Sequence, residues 1–290
     1  MNTKEYLQSC DARFRAELFA VADAIAKGSE RVVCLSGPTC SGKTTAAAML
    51  AQRIRADGRK IHIISIDDFY FDRDYLHELS RKKGFDGIDY DSADTIDLFA
   101  LGEFVREALT GEEIHCPVFD FKTGMRSGYR TVSAKEDDLF IFEGIQAIYP
   151  QVTELFRAIG YVSVYIAPLR SLTLDGETFE PNEIRLLRRI VRDSNFRNTY
   201  PDVTFSLWAN VRANEDKNIF PYVKECKYRI DSTHDYELGV LKPFLERVLP
   251  TVPSESENKA LADGILCQIS SAQSIDPSLV EADSLYKEFV

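Results

Sequence analysis

The stretch Gly37-Pro38-Thr39-Cys40-Ser41-Gly42-Lys43-Thr44 decides how the rest of the chain is read. It fits G-x-x-x-x-G-K-[ST], the phosphate-binding loop. Its glycines let the backbone curl so that successive N–H groups turn toward phosphate oxygens. Lys43 then reaches the terminal phosphates, and the Thr44 hydroxyl ligates Mg²⁺. The flanks agree with this reading. Residues 31–36 (R-V-V-C-L-S) have the pattern of a buried strand, and residues 42–57 carry an alanine-rich, helix-favouring run. The loop is therefore expected at a helix N-terminus, where unpaired N–H groups and the helix dipole favour anions. Gly37, Pro38, Thr39, Cys40, Ser41, Gly42, Lys43, Thr44 and Thr45 are the expected nucleotide contacts, with ATP and Mg²⁺ as the expected cofactors.

Outward from the loop, residues 60–66 (K-I-H-I-I-S-I) read as a second buried strand running into Asp67-Asp68-Phe69-Tyr70. Ligands of open α/β sheets bind beyond the carboxyl ends of strands. Asp67 is thus the first candidate for catalysis and Asp68 the second, against the alternative of an Asx-turn or a helix cap. Residues 138–142 (D-L-F-I-F) form another buried strand, ending in Glu143-Gly144. A carboxylate there can hold Mg²⁺, directly or through water, opposite Thr44. Between these strands lie a charged helix over 73–83, an acidic loop over 84–95, and a helix over 96–110 opened by Asp94 or Thr95. Residues 112–121 alternate around Pro117, the pattern of an edge strand, and 122–133 return as a hairpin. That hairpin breaks the α/β rhythm and suits a small flap over a substrate.

Further on, 161–167 is a strand closed by Pro168, and 171–181 an acidic, polar loop. Residues 183–197 then gather Arg185, Arg188, Arg189, Arg192 and Arg197. At helical spacing the first four share a face that carries no acid of its own. This favours a mobile arginine lid over transferring phosphates above a salt-bridged surface helix. A helix is expected over 203–215 with Trp208 on its packed face, then a strand over 226–230, a closing helix over 236–249, a hinge over 250–257 and a last helix over 258–270. At the other end, Leu7, Phe14, Leu18, Val21 and Ile25 mark an amphipathic helix over 3–27 that stops at Gly28. The chain therefore divides into an N-terminal helix (1–28), a central α/β domain (29–250) and a C-terminal helical extension (251–290).

Composition narrows the partners. A net charge of −11 argues against a broad nucleic-acid-binding face. None of the six cysteines forms a C-x-x-C pair, so reduced thiols and a cytoplasmic location are expected. The charged N-terminal stretch does not read as a signal peptide, and no run of about 18 apolar residues marks a membrane span. The expected partner is a small-molecule acceptor; a homo-oligomer is left open.

Taken in order, these pieces resemble the uridine kinase/phosphoribulokinase family of P-loop kinases, and within it the uridine-kinase-like branch. Four segments carry the resemblance: G-P-T-C-S-G-K-T, S-I-D-D-F-Y, P-V-F-D-F-K-T-G with the later F-E-G-I, and R-R-I-V-R-D-S-N-F-R. It extends over about residues 31–249. The implied fold is a three-layer α/β P-loop kinase with a mainly parallel sheet, a β-hairpin flap, an arginine lid and extra terminal helices. The implied activity is ATP-dependent transfer of a phosphoryl group to a nucleoside hydroxyl. By this resemblance Asp67 activates the acceptor hydroxyl, helped by Lys43 and by Arg189 and Arg192 as catalytic groups. Asp91 holds ribose hydroxyls, Glu143 attends Mg²⁺, and Arg189, Arg192 and Arg197 belong to the lid, Arg197 toward the nucleotide. Tyr70, Phe119, Arg126 and the hairpin 121–126 line the acceptor side. Uridine–cytidine kinases have a flap histidine where this chain has Gly124-Met125, a tyrosine in place of Phe119, and R-G-R where Arg197-Asn198-Thr199 stands.

Two other readings compete. A nucleotide switch would show D-x-x-G and N-K-x-D, which the chain lacks, and a non-catalytic relative would be expected to have lost the acid at 67 or 143. A kinase of a sugar phosphate or another alcohol differs from a nucleoside kinase only in the flap.

Overall fold

The computed structural model describes residues 2–84, 87–111 and 113–290. Phe85 and Asp86 of the acidic loop, Glu112 at the expected start of the edge strand, and Met1 lie outside the described residues. The first half of the chain forms α1 (Thr3–Lys27), β1 (Val32–Ser36), α2 (Lys43–Ala56), β2 (Ile61–Ser65), α3 (Arg73–Lys82), α4 (Leu98–Thr110), β3 (Glu113–Asp120) and β4 (Met125–Ser133). The second half forms β5 (Leu139–Glu143), α5 (Pro150–Thr153), β6 (Tyr161–Ala167), β7 (Leu172–Leu174), β8 (Glu177–Phe179), α6 (Pro181–Phe196), α7 (Pro201–Asn218), α8 (Phe220–Val223), β9 (Tyr228–Asp231), α9 (Glu237–Val248) and α10 (Lys259–Ile269).

Five strands make one sheet in the order β2-β5-β1-β6-β9, and every neighbouring pair is parallel. β1 and β5 are buried along their whole length, which is why they read as unbroken apolar runs. Side-chain alternation divides the interior in two. Val33, Leu35 and Ile141 join α1, α2, α6, α9 and α10 in one core. Val32, Cys34 and Phe142 join Phe69, Phe104 and Phe156 in the other. Three layers follow directly: helices, sheet, helices.

Register sets where chemistry can occur. Leu35 pairs with Glu143, and Glu143 pairs with Ser65. The segments that follow β1, β2 and β5 therefore leave the sheet side by side at its carboxyl edge, the ligand-binding edge of open α/β folds.

Local signals account for most element ends. Asn2 and Glu5 form a capping box on α1, and Leu7, Phe14, Leu18, Val21 and Ile25 are all buried on its packed face. α4 starts later than Asp94 or Thr95, because the Asp97 carboxylate caps it by accepting from Ala100 N. Ser92 instead caps a short turn over Ala93–Thr95. The expected loop over 171–181 is largely the β7–β8 hairpin. Its tip is Asp175-Gly176, both at positive φ, the dipeptide favoured in tight hairpin turns. β9 begins two residues beyond the expected start. α7 begins two residues early, with Pro201 in its first turn, a position that suits proline's fixed φ. The C-terminal stretch does not stand apart, since Leu285, Tyr286 and Phe289 are buried in the same core as α1 and α2. Among the described residues, no helix is long and apolar enough to cross a membrane.

Candidate active site

The phosphate loop joins β1 to α2 and packs closely on β6. A methyl added at Gly37 would collide with the Ile166 carbonyl and the Ser41 hydroxyl, so only glycine lets the loop close on β6. Gly42 lies at φ 89°, and Cys40 adopts φ 58°, an uncommon conformation for a residue with a side chain. Two arginines of α6 hold this geometry: Arg185 Nη1 donates to Thr39 O (3.2 Å) and Arg188 Nη1 to Cys40 O (3.3 Å). Lys43 Nζ donates to Gly37 O (2.8 Å) and Pro38 O (3.0 Å), so its ammonium lies along the loop. Ser41 Oγ is buried without a partner among the described residues, and Thr44 is exposed in the first turn of α2. An orphan hydroxyl, an ammonium and the N–H groups of a helix start form a donor set suited to phosphate.

Three carboxylates feel the charge of that ammonium. Asp67 lies in the short turn Ile66–Phe69 directly after β2, Glu143 is the last residue of β5, and Asp91 lies in the loop before α4. Burial, then the nearby Glu143 charge, pushes the Asp67 carboxyl up to about 7, while Lys43 and Tyr70 pull it down. Burial and the charges of Asp89 and Glu215 push Asp91 up to about 6, against Lys43 and Arg189. Burial also raises Glu143, with Lys43 again opposing. One cation thus acts on all three acids. Among the described residues, no set of three or more His, Cys, Asp or Glu side chains could hold a metal unaided. A Mg²⁺ ion would have to share its coordination with phosphate oxygens and water, as that ion usually does. Thr44, exposed at the start of α2, and Glu143, at the end of β5, have the oxygen ligands such a role needs.

Asp67 and Asp68 are separated by the turn. Asp68 faces the β3–β4 flap, accepting from Phe119 N (3.3 Å) with Arg130 at 3.6 Å, so it ties the flap down. The flap supplies Phe119 and Phe121, which meet Tyr70 edge-to-face at centroid separations of 5.5 and 6.0 Å. Tyr90 meets Tyr70 at 5.8 Å. Arg126 pairs with Asp97 (2.9 Å) and reaches Phe69 O, which fixes the flap to the start of α4. Tyr149 OH donates to Asp91 O (2.9 Å), anchoring the loop that carries Asp91.

Gln146 escaped the sequence reading. It is fully buried, its Nε2 donates to Tyr70 OH (3.0 Å) and Tyr90 O (2.8 Å), and its Oε1 has no partner among the described residues. The signal was present: a single amide within I-Q-A-I-Y-P, directly after the strand that ends in Glu143.

The arginine helix differs most from expectation. Its arginine face does meet acids: Glu215 and Glu237 from other helices and, against the expectation of a face with no acid of its own, Asp193 of α6 itself. Arg185 forms two hydrogen bonds to Glu215 of α7 (2.5 and 2.6 Å), and Arg188 two to Glu237 of α9 (2.8 and 3.1 Å), all four groups buried. These two arginines are fixed supports of the phosphate loop rather than a mobile surface. Arg192 sits beside the loop, donating to Asp193 (2.7 and 2.9 Å) and reaching Thr39 Oγ1 (3.5 Å). Arg189 bonds Asp193 (3.3 Å) and lies close enough to act on Asp91. Arg197, at the end of α6, is exposed.

The model of the Phosphoribulokinase / Uridine kinase family matches residues 32–238. The chain belongs to that family. Membership makes it a phosphotransferase acting on a hydroxyl group, and the match spans β1 through the start of α9. Among curated relatives, a uridine kinase of Ureaplasma urealyticum serovar 10 is 29% identical over 69% of this chain and 86% of its own length. A uridine kinase of Clostridium novyi is 27% identical over 82% of this chain and 94% of its own. A crystal structure of a Silicibacter sp. TM1040 protein, provisionally named a fructose transport system kinase, shares the fold. Its TM-score is 0.53 at 21% identity, covering 73% of this chain and 98% of that one. Family membership and fold likeness agree with a five-stranded parallel sheet and a phosphate loop at its carboxyl edge.

Proposed function

We propose that this family member transfers the γ-phosphoryl group of ATP to a hydroxyl of a nucleoside. The observation that carries the reading is that the phosphate loop and the Asp67 turn leave one edge of the sheet beside an aromatic flap, with Asp67 and Asp91 both acted on by Lys43. The loop N–H groups and Lys43 cradle the phosphates of ATP. Thr44 and Glu143 would hold a Mg²⁺ ion together with phosphate oxygens, and the ion would supply charge neutralisation there. Phe119, Phe121, Tyr70 and Tyr90 suit a flat base, Asp91 suits ribose hydroxyls, and Gln146 Oε1 is available to a donor on the acceptor. Asp67 accepts the proton of the attacking hydroxyl as the new O–P bond forms. The bond from the γ-phosphorus to the bridging oxygen breaks in the same displacement, and ADP leaves. Arg192, beside the loop, and Arg189 stabilise the charge that spreads over the transferring oxygens. The test is product analysis with Mg·ATP and the four common nucleosides beside non-nucleoside alcohols. Nucleoside monophosphate is the expected product, and turnover confined to a non-nucleoside alcohol would remove the reading.

Two further expectations follow from this arrangement. A base must be ionised, and burial and the Glu143 charge push the Asp67 carboxyl up to about 7. kcat/KM should therefore fall as pH drops, with an apparent pKa near 7 that belongs to the coupled acids rather than to one residue. Glu143 raises Asp67 by its charge, so Glu143→Gln should move the acid limb to lower pH. A profile that is flat from pH 5.5 to 8.5 would exclude Asp67 as the base. Arg192→Ala should lower kcat about 10²-fold while weakening ATP binding much less, because its contact strengthens with developing charge. Steady-state kinetics beside a nucleotide titration separate the two effects.

A further inference from the structure

The last residues of the chain lie against the phosphate loop. Ser284 anchors them, its hydroxyl donating to Asp11 of α1 (3.1 Å) beside Tyr236 OH (3.2 Å). A short turn over Leu285–Glu288 follows. The Leu285 side chain covers Gly42 so closely that any Cβ at that glycine would collide with it. Thr45 Oγ1, in the first turn of α2, donates to Glu288 Oε2 (3.2 Å). The Glu288 charge adds to the upward shifts of both Glu143 and Arg192. Tyr286 and Phe289 are fully buried, with the Arg188 guanidinium 5.2 and 5.3 Å from their ring centroids, and Asn195 of α6 donates to Phe289 O (3.3 Å).

This arrangement has the features of a bound ligand. A carboxylate sits at the N-terminus of a 14-residue helix, on the turn that would receive a phosphate. An apolar side chain covers the glycine whose bare backbone lets phosphates approach. Two aromatic rings fill the space beside the arginine that supports the loop. We propose that residues 284–290 are a resident occupant of the phosphate loop, which the donor nucleotide displaces in order to bind. The proposal rests on the nucleotide-binding reading given above. Its consequence is that apparent affinity for the donor is reduced by the fraction of molecules in which the segment is seated. Any event that draws the segment away raises that affinity.

Hydrogen exchange on the full chain, with and without Mg²⁺ and a non-hydrolysable ATP analogue, tests this without a variant. Backbone amides of 285–290 should exchange faster when the analogue is bound. Titration of the same analogue against Leu285→Ala, chosen because it changes no charge beside an anion, should show binding about tenfold tighter than in the unaltered protein. If the amides gain protection, the segment closes over the nucleotide instead of yielding to it, and the proposal is overturned. Equal or weaker binding by Leu285→Ala overturns it too and leaves the nucleotide reading intact. Binding by neither protein contradicts the nucleotide reading itself, because the variant should have freed the loop.

Discussion

Asp67→Asn should slow phosphoryl transfer by about 10²–10⁴-fold, the range for loss of a positioned general base. The substitution keeps the shape of the side chain and its place in the turn after β2, and removes charge and basicity. ATP should still bind, since Lys43, Thr44 and the loop N–H groups are untouched. The same variant makes a second prediction that a purely structural residue would not. The carboxyl of Asp67 holds its proton more tightly in the folded chain than in the unfolded one, because burial and Glu143 raise it to about 7. Native stability is therefore lost relative to the unfolded state as pH rises from about 4 through 7. Asparagine has no proton to lose. Its melting temperature should exceed that of the unaltered protein, and by more at pH 8 than at pH 5. Slower turnover with higher stability is the signature of a residue placed for chemistry at a cost to the fold.

Arg188→Leu should do the opposite. Its guanidinium is fully buried and held by Glu237, the Ser232 carbonyl and hydroxyl, and Cys40 O. Removing one partner of a buried pair leaves the other charge unpaired, at a cost of about 3–5 kcal/mol. For a chain of this size that is a fall in melting temperature on the order of 10 °C. Glu237 also accepts from His234 N (3.0 Å), so the variant disturbs the loop before α9 as well. Paired replacement of Arg188 and Glu237 by apolar residues of similar volume should recover much of the stability but not the hydrogen bond to Cys40 O. Nucleotide affinity should then stay low although the protein is folded. Equal stability of the unaltered protein and Arg188→Leu, measured by thermal melting, would contradict the role given to this pair.

The sequence was most legible where one local rule governs. The loop 37–44, the apolar runs of β1 and β5, and the amphipathic spacing of α1 each follow from short patterns that distant contacts did not reverse. Asp67 and Glu143 were reachable because acids at the ends of buried strands must emerge at one edge of a parallel sheet. The fate of Arg185 and Arg188 was not legible in the same way. Helical spacing places them on one face, but their partners lie 30 and 49 positions away, on helices whose packing no local pattern reveals. The same limit hid Leu285 and Glu288, more than 240 positions from the loop they touch. Gln146 was overlooked for a different reason. A lone amide in an apolar stretch shows its cost only when its neighbours, Tyr70 and Tyr90, are known. The β7–β8 hairpin was readable from Asp175-Gly176, but its three-residue strands were too short to show alternation.

The edge formed by the phosphate loop, Asp67 and Asp91 is proposed to pass a phosphoryl group from ATP to a nucleoside hydroxyl. Its most direct test is ATP labelled at the γ-phosphate, incubated with Mg²⁺, the purified full chain and each nucleoside, with the products separated and counted. Label is expected in a nucleoside monophosphate, formed one-for-one with ADP and reduced by at least about 10²-fold in Asp67→Asn. Label released only as inorganic phosphate, or equal transfer by the variant, would contradict it.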